Sequence, residues 1–206
     1  YIPLLNKAIL YQRAVGFFSS SALIEISRGV VELLKNGGKI QLIASPRLQI
    51  EDIEAIEKGY EERESVIERV ILESFSEPKN YFEAERLNLL ATLVAQGSLD
   101  IKLAFIESVD GFGMYHEKVG LIHDVFNNTV VFTGSMNETS TAFSHNYETI
   151  DVFCSWTEDS ERVVTKKSAF KALWDNLEPK MKTIDFPNVA KDKLLSYKQD
   201  HINMEI

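Results

Sequence analysis

Tyr115-His-Glu-Lys-Val-Gly-Leu-Ile-His-Asp124, followed by Thr129-Val-Val-Phe-Thr-Gly-Ser-Met-Asn137, is the stretch of sequence that decides the fold. Tyr115 to Ile122 and Thr129 to Thr133 have the apolar content of two strand arms. Asn127-Asn128 between them is a pair suited to positive φ, so the segment predicts an antiparallel hairpin. Side chains alternate across a strand, which turns His116 and Lys118 the same way and Glu117 the other. An imidazole beside a fixed ammonium suits a phosphate group. The lysine neutralises non-bridging oxygens while the histidine attacks phosphorus or protonates a leaving oxygen.

The turn after the second arm extends the pattern. Gly134-Ser-Met-Asn137 adds a backbone that a phosphate can approach closely, with the Ser135 hydroxyl and the Asn137 amide as donors. Glu148, at the start of the next apolar run, is placed to accept the second ring N–H of a histidine and hold its tautomer. The candidate catalytic residues are therefore His116, Lys118, Ser135, Asn137 and Glu148. This set calls for no zinc or magnesium ligands and no cofactor. Taken singly, each has a bland alternative: a strand histidine, an edge lysine, turn-forming Ser135 and Asn137, or a surface Glu148. Their company within 33 residues favours chemistry.

Towards the N-terminus, Leu4 to Tyr11 has helical spacing, and Arg13-Ala-Val-Gly-Phe-Phe18 reads as a buried strand. Ser19-Ser-Ser21 can cap a helix over Ala22 to Leu34, Asn36-Gly-Gly38 stops it, and Lys39 to Ala44 alternates as a strand. That is a β-α-β unit with parallel strands and a right-handed crossover. Two helical stretches follow, about Glu51 to Phe75 and about Asn80 to Gln96, divided at Ser76-Glu-Pro78. Leu99 to Ile106 and Tyr147 to Trp156 read as strands, with helices over Glu158 to Leu177 and, at the end, Asn188 to His201. Strands separated by helices predict an α/β domain, a mixed β-sheet sandwiched by helices, with an acidic helical insertion over about residues 50–97.

His116-Glu-Lys118 with Gly134-Ser-Met-Asn137 resembles the H-x-K and G-S-x-N elements of the phospholipase D superfamily, its nuclease branch above all. That branch includes metal-independent restriction endonucleases and domains attached to DEAD/DEAH-type helicases. Arg13 to Ser19 and Asn36 to Pro46 also look like the N-terminal part of the helicase-attached domains. The resemblance covers about residues 1–180 and leaves 181–206 as an extension, with room for a linker to a further domain such as a C-terminal helicase. It implies a phosphohistidine intermediate formed by one histidine and a second histidine as general acid. A single motif copy therefore implies a homodimer with a shared site. Nucleic acid, DNA rather than RNA, is the implied substrate, and the alternative is an inactive binding or dimerisation module. The family's full motif has an aspartate where this chain has His123, with Asp124 one position late, which tells against lipid hydrolysis more than against nuclease activity.

Composition sets the remaining bounds. With 206 residues, 45% hydrophobic and 26% charged, the chain suits one globular core. The net charge of -9 at first disfavours a polyanionic substrate, but ten acidic residues against three basic ones fall between Glu51 and Pro78. That segment alone carries -7, as the solvated face of helices would, and the rest is close to neutral. Cys154 stands alone, pointing to a reducing, cytoplasmic setting. Nothing resembles a signal peptide or a membrane span, and the start at Tyr1 suggests a domain of a larger protein. Trp156, Trp174, Phe17 and Phe18 read as core rather than as base-stacking surfaces, and Arg13 as either a phosphate contact or a structural ion pair.

Overall fold

The computed structural model describes residues 2–20, 24, 30–58, 61–108, 111–134 and 149–201. In chain order the elements are α1 (Ile2–Leu5), β1 (Ala8–Val15), α2 (Val30–Lys35), β2 (Lys39–Ala44), α3 (Ile50–Glu57), α4 (Arg63–Glu73), α5 (Tyr81–Ala95), β3 (Leu99–Ser108), β4 (Gly111–Met114), β5 (Val119–Asp124), β6 (Thr129–Gly134), β7 (Ile150–Cys154), α6 (Ser160–Trp174), β8 (Met181–Asp185) and α7 (Asn188–Leu195). The strands form one mixed sheet in the order β4-β3-β2-β1-β5-β6-β7, with β8 paired to β3. β1, β2 and β3 run parallel, and β5, β6 and β7 are antiparallel neighbours.

Period-two alternation sorts the strand residues onto two faces, each covered by helices. Tyr11, Val15, Leu42, Leu103, Phe105, Ile122 and Phe132 form one buried cluster with helical Leu33, Ile67, Ile71, Leu90 and Leu194. Ala14, Ile43, Ala104, Leu121 and Val131 form the other, against Val163, Phe170 and Leu173 of α6. Each fully buried Leu, Ile or Phe contributes about 1.5–3 kcal/mol, so the two layers, more than helix propensity, hold the sheet flat against its helices.

The expected mixed α/β sandwich is what the structure shows, but several boundaries move. Leu4 to Tyr11 is not a helix: the helix ends at Leu5 and β1 starts at Ala8. Its helical spacing is overridden because β1 is the central strand, paired on both sides and with Ala8 and Tyr11 wholly buried. The first insertion helix is two: Lys58 caps one and Glu62 opens the next. Residues 181–185, read as extension, pair with Lys102 to Ile106, and α7 packs on α5 with Lys193 3.0 Å from Glu77. The hairpin is as expected: β5 and β6 close around Asn127, at φ 65°.

Candidate active site

β1 and β2 leave the sheet at the same end, and the antiparallel β5 enters there. Val119 pairs with Ala14, so the residues before Val119 lie beyond the exit of β1. The N–H of Phe18 donates to the carbonyl of Ser45 at 2.9 Å, which carries the β1–β2 pairing past the last strand residues. His116, Lys118, Phe17 and Arg47 are thereby collected at the carboxyl end of the parallel strands, where open α/β sheets place ligands.

Residues 115–118 are not strand, yet His116 and Lys118 still meet. Lys118 is buried, 6% exposed, and its Nζ lies 2.9 Å from Nε2 and 3.3 Å from Nδ1 of His116, while donating to the His116 carbonyl at 3.1 Å. His116 itself is exposed. An ammonium within 3.3 Å of both ring nitrogens sits beside the imidazole, so a phosphate oxygen engaging it would lie next to the ring. The backbone is pinned from the facing strand: the carbonyl of Lys118 accepts from the Gly134 N–H at 3.3 Å and the Thr133 hydroxyl at 3.2 Å.

Glu117 is bonded away from this pair. It accepts from the Tyr115 hydroxyl at 3.2 Å and from Lys166 of α6 at 2.6 Å, tying the segment to the helix layer. Burial, followed by the Glu117 charge, pushes the Tyr115 phenol far above its ordinary range, so it stays a neutral donor. Beneath the site, Arg13, Gly120 and Phe132 are cross-strand neighbours in one row. Gly120 leaves the space in which the Arg13 guanidinium, 1% exposed, reaches 5.1 Å from the Phe132 ring centroid. A Cβ at Gly120 would meet the Phe132 ring at 2.1 Å. Arg13 is thus buried within the sheet, with its guanidinium over the Phe132 ring.

The family model "Cardiolipin synthase, PLD-like domain" matches residues 11–174 of the chain. The chain belongs to the phospholipase-D-like family. Among solved structures it is similar to NucT from Helicobacter pylori, at 18% identity and a TM-score of 0.52, covering 90% of this chain and 87% of that one. It is also similar to Nuc from Salmonella typhimurium, a phospholipase D family member, at 14% identity, a TM-score of 0.47 and coverage of 90% and 88%. A third likeness is phosphatidylserine synthase of Haemophilus influenzae Rd KW20, at 13% identity, a TM-score of 0.46 and coverage of 95% and 41%. Among curated proteins none matches the sequence. Members of the phospholipase D superfamily are phosphodiesterases, nucleases among them.

In this phospholipase-D-like chain the position of the missing motif aspartate is at the other end of β5. His123 lies five residues, about 17 Å of strand, from Lys118. Its Nδ1 is 3.0 Å from the Thr129 hydroxyl and its Nε2 is 3.0 Å from Oε1 of Gln12, whose amide nitrogen donates to Gln41 at 2.7 Å. Asp124 does not take over the aspartate's place. It caps the hairpin, accepting from the N–H groups of Phe126 and Asn128.

Burial, reinforced by the charge of Lys167, lowers the His123 pKa from 6.5 to about 4. The folded chain then keeps His123 neutral while the unfolded chain binds a proton as pH falls through 6.5. Stability should therefore fall between about pH 6.5 and pH 4 and flatten below. Because the ring is partly exposed, about 1–2 kcal/mol at pH 5 is the expected share. Urea unfolding of the parent and of a His123→Asn protein at pH 7.5 and 5 checks this. Equal losses in both would show that His123 is not the responsible group.

Ser135, Asn137 and Glu148 lie outside the described residues. Among the described residues, no group of three or more His, Cys, Asp or Glu side chains comes together as a metal site. No helix among them is long and apolar enough to cross a membrane. Phe18 is core, 3% exposed and ringed by Phe75 and Phe186, as its sequence suggested. Phe17 is not: its ring sits edge-on to His116, centroids 6.1 Å apart, and carries the Arg47 guanidinium at 5.4 Å. Alternation about the buried Phe18 is the signal that could have separated the two rings.

Proposed function

We propose that this chain is a metal-independent phosphodiesterase acting on nucleic acid, a DNA endonuclease domain whose site is shared by two copies. The observation that carries the proposal is the contact of the buried Lys118 ammonium with the exposed His116 imidazole at the carboxyl end of the sheet. A non-bridging phosphate oxygen engages Lys118, and the unprotonated ring nitrogen of His116 attacks phosphorus in line. The phosphorus–oxygen bond to the leaving strand breaks, and His116 of the partner subunit gives that oxygen a proton. Water, deprotonated by the same partner imidazole, then splits the phosphohistidine, leaving a phosphate on one strand end and both histidines restored. Ser135 and Asn137 are assigned as donors to the phosphate oxygens and Glu148 as the acid that orients the histidine.

Support for the second copy comes from β7. Ile150 and Val152 are 40% and 56% exposed although they pair with Gly134 and Phe132, beside the half-site. An apolar sheet edge next to a half-site suits a two-fold contact.

The test is incubation with labelled DNA in EDTA, followed by a denaturing gel. Cleavage, with a labelled protein adduct that acid destroys, is expected. Intact DNA would sink hydrolysis and leave the module that binds without turnover, a reading to which the missing motif aspartate gives room. Sharing of the site has its own measurement. When parent is mixed and re-equilibrated with His116→Ala protein, activity should fall as the square of the parent fraction, whereas a linear fall means that each subunit works alone.

A further inference from the structure

Among the described residues, the long cations near the sheet are mostly committed to carboxylates: Arg63 to Glu107, Arg69 to Asp52, Lys102 to Asp185 and Lys166 to Glu117. Arg47 is different. It is exposed and, among the described residues, makes no ion pair, and its guanidinium is held over the aromatic face of Phe17. The same ring is edge-on to His116. One half-buried phenyl group thus stands between an uncommitted cation and the imidazole of the half-site.

This arrangement is built into the backbone. Arg47 follows Ser45 and Pro46, both buried, and Ser45 accepts the Phe18 N–H at 2.9 Å. The residue before that donor is Phe17, and the residue two after that acceptor is Arg47, so one hydrogen bond sets the stack. Proline fixes φ at the approach to Arg47, which lowers the ordering cost of presenting a long side chain. A guanidinium lying on a ring keeps its edge N–H groups for an oxyanion while the ring limits its freedom.

We propose that Arg47, pre-oriented by Phe17, is a phosphate-binding subsite that grips the nucleic-acid backbone next to the phosphodiester attacked by His116. It rests on the reading of the chain as a nucleic-acid phosphodiesterase and deepens it. Arg47 is a positioning residue: it holds a phosphate that does not react, and it reads charge rather than base sequence. In a chain whose insertion is strongly acidic, a cation placed at the mouth of the site supplies local attraction that the overall charge does not.

The test compares parent, Arg47→Ala and Arg47→Lys. Affinity is measured by fluorescence anisotropy with a single-stranded and a duplex oligonucleotide in the His116→Ala background, and steady-state cleavage is measured with His116 intact. Arg47→Ala should weaken binding about 10-fold. KM should rise in step while kcat stays within about twofold. The slope of log affinity against log salt should shrink by about 0.7–0.9, one phosphate contact. Arg47→Lys, which keeps the charge but not the stacked planar fork, should recover only part of the affinity, and thermal unfolding should not move. Unchanged affinity and salt slope in Arg47→Ala overturn the subsite while leaving the nuclease reading intact. Binding without cleavage by the parent overturns the nuclease reading but still shows whether Arg47 holds a phosphate. A parent that neither binds nor cleaves nucleic acid overturns both.

Discussion

His116→Ala should abolish DNA cleavage to within about 10³–10⁴-fold or more of the parent rate while leaving the fold as stable as before. The side chain is exposed, so its removal creates no core cavity, and its loss deletes the proposed nucleophile and, through the symmetry mate, the general acid. Lys118→Ala should be as damaging to the rate, because the phosphate then meets no cation and the imidazole loses its 2.9 Å partner. Lys118 is 6% exposed, so its removal should also lower stability where His116→Ala does not. The double variant should be little worse than either single one, since the two act on one step. Single-turnover cleavage in EDTA, with denaturant unfolding alongside, measures both quantities. A His116→Ala protein that cleaves as fast as the parent would falsify the assignment.

Gly134→Ala should be the most destructive small substitution near the site, costing about 3 kcal/mol and most of the activity. A Cβ built at Gly134 would lie 1.9 Å from the carbonyl oxygen of Thr149, which is backbone and cannot swing aside. The demand is for close approach and not for unusual φ. β6 and β7 can accept the methyl group only by moving apart where Gly134 pairs with Ile150. That movement strikes the Gly134 N–H bond to the Lys118 carbonyl, at the strand end that Ser135 and Asn137 follow in sequence. Urea unfolding should show the loss of stability, and the cleavage rate should fall in protein kept well below its unfolding midpoint. A variant with unchanged midpoint and rate would mean that the β6–β7 contact yields at no cost.

What could be read from residue order was what depends on near neighbours. The hairpin followed from the asparagine pair and two-residue alternation, both local. The meeting of His116 with Lys118 followed from a separation of two residues, and it survives although residues 115–118 are not a strand, because a lysine arm reaches its neighbour in either geometry. The β-α-β unit and the family resemblance were legible for the same reason. The rim of the site was not. Phe17, Arg47 and His116 are separated by 30 and 69 positions, and only the order β2-β1-β5 brings them to one end.

Residue order by itself determined the chemistry on offer and the local turns and strands that display it, because side-chain identity and φ preference act over a few residues. Tertiary structure alone decided that β1 is the central strand and that Gly120 and Gly134 must be glycine. It also decided that His123 is held neutral far from the half-site and that the Arg47 guanidinium stacks on Phe17 beside that half-site. These depend on strand register and burial, which arise when segments distant along the chain exclude water from one another.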